Sequence, residues 1–259
     1  MECPSSPTPN VKLGRTFTAS IAVLVAGLAL LLFATGGGQS FTTETLRRQQ
    51  VSAQPQLINA FAVTTASGEK TTLNALLANI GYRDSNEGGN KDGNTGGNKG
   101  GNTGGKVWLV DFVYTRCLTV CSSLGSIYQQ LQADIEARGL QSKVGLLSIS
   151  FDPANDDSAA LAAYATRMRM NPAVWQIATL SKWADRRRLL DAFGIMVVPA
   201  SLGEFEHNAA LHVVTSDGQL IQIIDYLAYR NAIDQALATT LMAGERSAMP
   251  GQPELRAAK

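Results

Sequence analysis

Cysteine and histidine are scarce in this chain. Its 259 residues include three cysteines and two histidines, too few for a disulfide-stapled scaffold, and their spacing does not supply the four ligands of a closed zinc site. An excess of one charge is also missing. The 22 Lys and Arg nearly cancel the 21 Asp and Glu, so no global field points to nucleic acid or to an acidic membrane surface, and no nucleic-acid partner is expected. The length excludes two large domains and leaves one sizeable domain with appendages. Long hydrophobic runs are absent except for one.

That run is N-terminal. Residues 16–35 carry no charge, and 21–33 are almost wholly apolar. Eighteen helical residues span about 27 Å, close to the roughly 30 Å hydrocarbon core. Lys12 and Arg15 precede the run, which places the N-terminus in the cytoplasm and the rest of the chain outside. Two readings remain open, an uncleaved anchor and a cleaved signal peptide. The small residues Ala34–Ser40 lack a clear A-x-A pattern, and Cys3 lies before the run, where a lipoprotein signal does not place its cysteine. Both readings export the domain. The exported part then holds only Cys117 and Cys121. A disulfide closing so small a loop constrains little of the unfolded chain, so the pair points to chemistry rather than to stapling.

Past the run, 36–56 is polar and reads as a tether. Short strands are expected at Asn59–Val63 and Lys70–Thr72, then a helix over Leu73–Ile80. Gly88–Thr95 and Gly96–Thr103 form a near-perfect eight-residue Gly/Asn repeat with nothing apolar to bury. It reads as a flexible insertion loop over 85–105. Strand patterns follow at Val107–Val113 and Val144–Ser150. A helix is expected from Cys121 to Arg138, with Leu124, Ile127, Tyr128, Leu131 and Ile135 on one face. Another, capped by Asp156 or Asp157, runs to Met170, and a third covers Lys182–Ala192, stopped by Gly194. A hairpin at Leu211–Thr215 and Leu220–Ile224 and a helix over Asn231–Leu241 complete the domain. This order predicts an α/β fold, a mixed β-sheet flanked by helices in the thioredoxin-like arrangement. The expected organisation is a cytoplasmic N-terminus (1–16), a transmembrane anchor or signal (17–35), the tether (36–56), the thioredoxin-like domain (57–243) and a C-terminal tail (244–259).

Cys117 and Cys121 stand between a strand and a helix start. At i and i+4 two sulfurs share a helical face, and the helix N-terminus favours thiolates. Such a pair can form a disulfide or ligate a soft metal. With one imidazole the set suits copper. His207 and His212 are five apart, so along one strand they point to opposite faces.

Phe112-Val113-Tyr114-Thr115-Arg116-Cys117 followed by Cys121 resembles the F-x-Y-T-x-C-x-x-x-C signature of the Sco/SenC family. Ser150-Phe151-Asp152-Pro153-Ala154-Asn155-Asp156 is similar to its S-x-D-P-x-x-D segment. The family histidine stands ten residues before the Asp of a strand-turn Asp-Gly, which here is Asp217-Gly218, so that position is His207. The chain departs from the family at Leu118 and Ser122, where Pro is usual, at Thr119, where an acid is common, and at Glu206 and Asn208 beside the histidine.

The resemblance implies copper held by Cys117, Cys121 and His207. It also implies a copper chaperone or thiol reductant for the binuclear copper centre of cytochrome c oxidase, with subunit II or another copper or thiol client as partner. The implied location is the bacterial inner membrane, single-pass, with the domain facing the periplasm. The alternative is a thiol–disulfide oxidoreductase in which Cys117 and Cys121 are the catalytic, redox-active pair. Fractionation with protease protection separates anchor from signal: an anchored chain stays in the membrane fraction with its domain protected inside the outer membrane, whereas soluble protein beginning near Gln39 shows a cleaved signal.

Overall fold

The computed structural model describes residues 13–34, 43–78, 105–117, 120–201 and 204–248. The Gly/Asn repeat, and the expected insertion loop apart from Gly105, lie outside these. The chain divides into two units, Met1–Gln49 and Gln50–Lys259.

In the first unit, α1 (Leu13–Ala34) is a 22-residue helix, about 33 Å long. Its described apolar side chains, among them Phe17, Val23, Leu24, Leu28 and Phe33, are exposed. Among the described residues no helix is long and apolar enough to cross a membrane. The stretch expected to be a tether contains α2 (Thr43–Ala53). Polar sequence does not preclude a helix, and Glu44 pairs with Arg48 at 3.1 Å one turn on.

The second unit is built on an eight-stranded mixed sheet. Its strands are β1 (Gln56–Leu57), β2 (Ala62–Thr65), β3 (Lys70–Thr72), β4 (Val107–Val113), β5 (Val144–Ser150), β6 (Trp175–Leu180), β9 (Ala210–Thr215) and β10 (Gln219–Asp225), with β7 (Val197–Pro199) and β8 (Phe205–His207) forming a separate hairpin. The sheet order is β1-β10-β9-β4-β5-β6-β2-β3. β4, β5 and β6 run parallel, and the outer strands are antiparallel. Every residue of β4 and β5 is buried, as continuous apolar strands in the middle of a parallel sheet must be.

The connections are α3 (Leu73–Ala78), α4 (Val120–Ala137), α5 (Ser158–Arg167), α6 (Arg186–Phe193) and α7 (Ala232–Ala248). Trp108 and Phe112 of β4 face α3 and α6: the Trp108 indole donates to the Leu77 carbonyl at 2.9 Å, and the Phe112 ring lies 4.9 Å from that of Phe193. The alternate residues of β4 face α4. Asp157 caps α5 through a hydrogen bond from the Ala160 N–H, and Gly194 ends α6 in the left-handed region at φ 61°. Helix α7 runs past Leu241 to Ala248.

Two differences from the sequence pattern have clear causes. Strand β6 was not expected, because Trp-Gln-Ile-Ala-Thr-Leu neither alternates nor runs apolar; its parallel ladder with β5 makes it a strand. The strand expected at Asn59–Val63 is β2 at Ala62–Thr65, since β6 engages Val63, Thr64 and Thr65.

Asp111 is the costly residue in this core. It is fully buried on β4, neither carboxyl oxygen completes a hydrogen bond, and burial pushes its pKa up to about 7 despite the nearby Ser148 hydroxyl. A raised carboxyl pKa means the folded state holds the proton that the unfolded chain loses near pH 4. Stability therefore falls as pH rises from about 4 through 7, by on the order of 4 kcal/mol. Asp111→Asn, which cannot ionise, is expected to flatten this slope. Its urea midpoint should exceed that of the natural chain at pH 8 and approach it at pH 4.

Candidate metal and thiol site

The site forms where β4 ends. After Val113 the chain turns, with the Cys117 N–H donating to the Tyr114 carbonyl at 3.1 Å. A buried carboxylate clamps this turn. Asp156 accepts from the Thr115 N–H at 2.9 Å, from the Thr115 hydroxyl at 2.6 Å and from the Ser150 hydroxyl at 2.5 Å. Asp152 adds an ion pair to Arg116 at 3.1 Å, while Arg167 donates to the Thr115 carbonyl at 2.8 Å. The two sequence motifs are thus two halves of one hydrogen-bonded unit. Charge-assisted bonds shielded from water are the strong kind, and they hold Cys117 where β4 delivers it. Cys117 is buried, with 5% of its surface exposed.

Cys121 is the second residue of α4. Its helix position shares a stripe with Leu124 and Tyr128, both buried, and lies in the first turn, where peptide dipoles favour a thiolate. The Cys121 side chain lies outside the described residues. Among the described residues no group of three or more His, Cys, Asp or Glu gathers as a metal cluster.

His207 ends β8, paired with Val197 across the hairpin. Its Nδ1 lies 3.0 Å from the Asn208 carbonyl. A carbonyl only accepts, so Nδ1 carries the proton and, in the neutral ring, Nε2 carries the lone pair. The ring packs edge-on against Phe151 at 5.2 Å and Tyr114 at 6.4 Å. Burial lowers the His207 pKa, while the Asn208 carbonyl and the charge of Cys117 act the other way. The imidazole is therefore mostly neutral at pH 7, the form that ligates metal. Cys117 and His207, distant in sequence, lie close enough to interact electrostatically.

His212 is elsewhere. It is fully buried in β9, its ring nitrogens 3.2 Å and 3.0 Å from the carbonyls of Val110 and Phe193, edge-on to the rings of Phe112 and Phe193. The two histidines do not share a strand: they belong to different sheets.

Sequence reasoning missed three residues at the site. The Tyr114 hydroxyl donates to Glu204 at 2.5 Å. The Arg186 guanidinium lies over the rings of Phe151, Phe205 and Trp183 at 5.6, 5.3 and 5.0 Å, and its Nε donates to the Phe151 carbonyl at 2.8 Å. Tyr114 was visible only as a motif letter, and Arg186 sits in a run of three arginines that reads as a solvated helix face.

A mixed sheet with helices on both faces, and a cysteine-bearing turn leading from a central strand into a long helix, defines a thioredoxin-like α/β protein. The SCO1/SenC family model matches residues 90–242, more than half of the chain, and the chain belongs to that family. The SCO1 protein homolog of Bacillus subtilis (strain 168) is 28% identical over 128 residues, which is 49% of this chain and 64% of that protein. The match thus spans less than two thirds of the relative's length. Among the solved structures that share the fold are yeast Sco1 and BsSco. Yeast Sco1 with copper bound is 15% identical with a TM-score of 0.53, covering 76% of this chain and 96% of that one. BsSco, a member of the Sco family of cytochrome c oxidase assembly proteins in which a disulfide switch was identified, is 19% identical with a TM-score of 0.54, covering 73% and 96%.

Replacing Asp156 by Ala orphans the buried Thr115 and Ser150 donors. Thermal or urea unfolding is expected to show a loss of about 3 kcal/mol, with proteolysis newly entering near residues 114–117. An unchanged midpoint contradicts the clamp.

Proposed function

We propose that this domain binds copper as cargo through the thiolates of Cys117 and Cys121 and the Nε2 atom of His207. In this reading it supports assembly of the binuclear copper centre of cytochrome c oxidase. The observation that supports the proposal is that Cys117 and His207, carried by two separate elements, lie within electrostatic reach of each other, with burial favouring the neutral imidazole and the Asn208 carbonyl fixing its tautomer. The donor set fits, since soft thiolates with one imidazole suit copper, Cu(I) above all. The sites at a helix start and at the end of a hairpin are places where ligands can exchange with an acceptor such as oxidase subunit II. The copper-bound yeast Sco1 supports the same reading.

The alternative is thiol–disulfide exchange, in which Cys117 attacks a client disulfide and Cys121 resolves the mixed disulfide. The disulfide switch in BsSco favours keeping it. In either role, α1 serves as the anchor that holds the domain on the periplasmic side of the bacterial inner membrane. Its exposed apolar side chains and the basic residues Lys12 and Arg15 ahead of the run support this, and the fractionation described above tests it.

Copper titration of single alanine variants decides between the two roles. Removing Cys117, Cys121 or His207 is expected to weaken copper binding at least about tenfold, while His212→Ala destabilises the core and leaves the metal spectrum in place. If His207→Ala binds copper as tightly as the natural chain, the oxidoreductase role replaces the copper role.

A further inference from the structure

His207 belongs to a hairpin that, among the described residues, no ladder joins to the main sheet: there β7 and β8 pair with each other alone. Strand hydrogen bonds therefore do not set the distance between His207 and Cys117. Phe151 and Arg186 contact the hairpin, and Tyr114 adds a hydrogen-bonded link from the cysteine turn itself. The Tyr114 carbonyl accepts the Cys117 N–H. The Tyr114 hydroxyl donates to Glu204 at 2.5 Å and accepts the Phe205 N–H at 3.2 Å. Its ring meets those of Phe205 at 5.4 Å, Phe151 at 5.4 Å and His207 at 6.4 Å. Tyr114 is buried, with 1% of its surface exposed, and its partner Glu204 is half-buried. Its backbone grips the cysteine turn and its hydroxyl grips the start of the strand that ends in His207.

We propose that Tyr114 and Glu204 form a hydrogen-bonded latch that positions His207 relative to Cys117, and so biases the site towards metal binding over disulfide exchange. The latch rests on the copper reading above. Tyr114 is a positioning residue: it acts through His207 and is not itself a ligand. With the latch closed, the imidazole is held within electrostatic reach of the sulfur, and binding does not have to fix the hairpin first. With it open, the cysteine turn keeps its Asp156 clamp and can still exchange disulfides, while the histidine contributes less to the metal.

The test is a double-mutant cycle. Cu(I) affinity is measured by competition with a chromophoric chelator for the natural chain, Tyr114→Phe, His207→Ala and the double variant. Tyr114→Phe is expected to weaken Cu(I) about tenfold, the usual cost of losing a group that orients a metal ligand, and to add less than about twofold once His207 is gone. Glu204→Gln, which still accepts the hydroxyl, should stay close to the natural chain, and Glu204→Ala should follow Tyr114→Phe. In metal-free protein, the ring nitrogen resonances of His207 should show one fixed tautomer, replaced by averaged shifts in Tyr114→Phe.

Equal losses with and without His207 overturn the latch in favour of a general structural effect. So does a Tyr114→Phe variant whose affinity and histidine spectrum both match the natural chain. If His207→Ala leaves Cu(I) binding intact, the copper reading fails, and the metal-free histidine spectrum then decides the latch by itself. Should Tyr114→Phe fail to fold, Glu204→Ala, changed at a half-buried site, carries the same two readouts.

Discussion

The carboxylate of Asp156 is the contact on which the site depends. Three donors from two segments converge on it, and it is fully buried. A carboxylate out of water persists only when its oxygens are satisfied, so Ser150 and Thr115 are fixed as firmly as Asp156 itself. Through Thr115 the clamp fixes the turn that ends in Cys117, and through Ser150 it ties that turn to the end of the neighbouring parallel strand. The sheet thereby delivers one sulfur at a defined point. The rest of the site is assembled around that point from elements outside the sheet.

The geometry divides naturally into a rigid half and a hung half. Cys117 belongs to the rigid half, held by backbone bonds and buried carboxylates. His207 belongs to the hung half, a two-stranded hairpin kept in place by the Tyr114 hydroxyl, by Arg186 over Phe205, and by Asn208, which binds the Gly194 carbonyl and the Met196 N–H at 3.0 and 2.7 Å. A site built this way suits ligand exchange: one ligand stays where the fold puts it, and another moves at the cost of a few side-chain contacts.

How much of this the sequence revealed depended on whether each feature was local. Strands β4 and β5 were legible to the residue because central parallel strands are mostly apolar, and α4 was legible from its apolar stripe. Strand β6 was not, because its identity comes from pairing with β5 rather than from its own pattern. The proposed metal ligands could be nominated from the family resemblance, but their surroundings could not. Nothing local to Tyr114 shows that its hydroxyl meets Glu204, and nothing local to His212 shows that two backbone carbonyls occupy its nitrogens. The departures beside the histidine became intelligible only in three dimensions: Asn208, where Ser or Thr is usual, ties the hairpin to the end of α6.

The central claim is that two thiolates and one imidazole from this chain meet at one copper ion. X-ray absorption at the copper edge, on the protein loaded with one equivalent of Cu(I), tests it most directly. The account predicts a first shell of two sulfur atoms and one nitrogen, with the nitrogen lost in His207→Ala. A shell of sulfur alone, or one whose nitrogen survives that substitution, contradicts it.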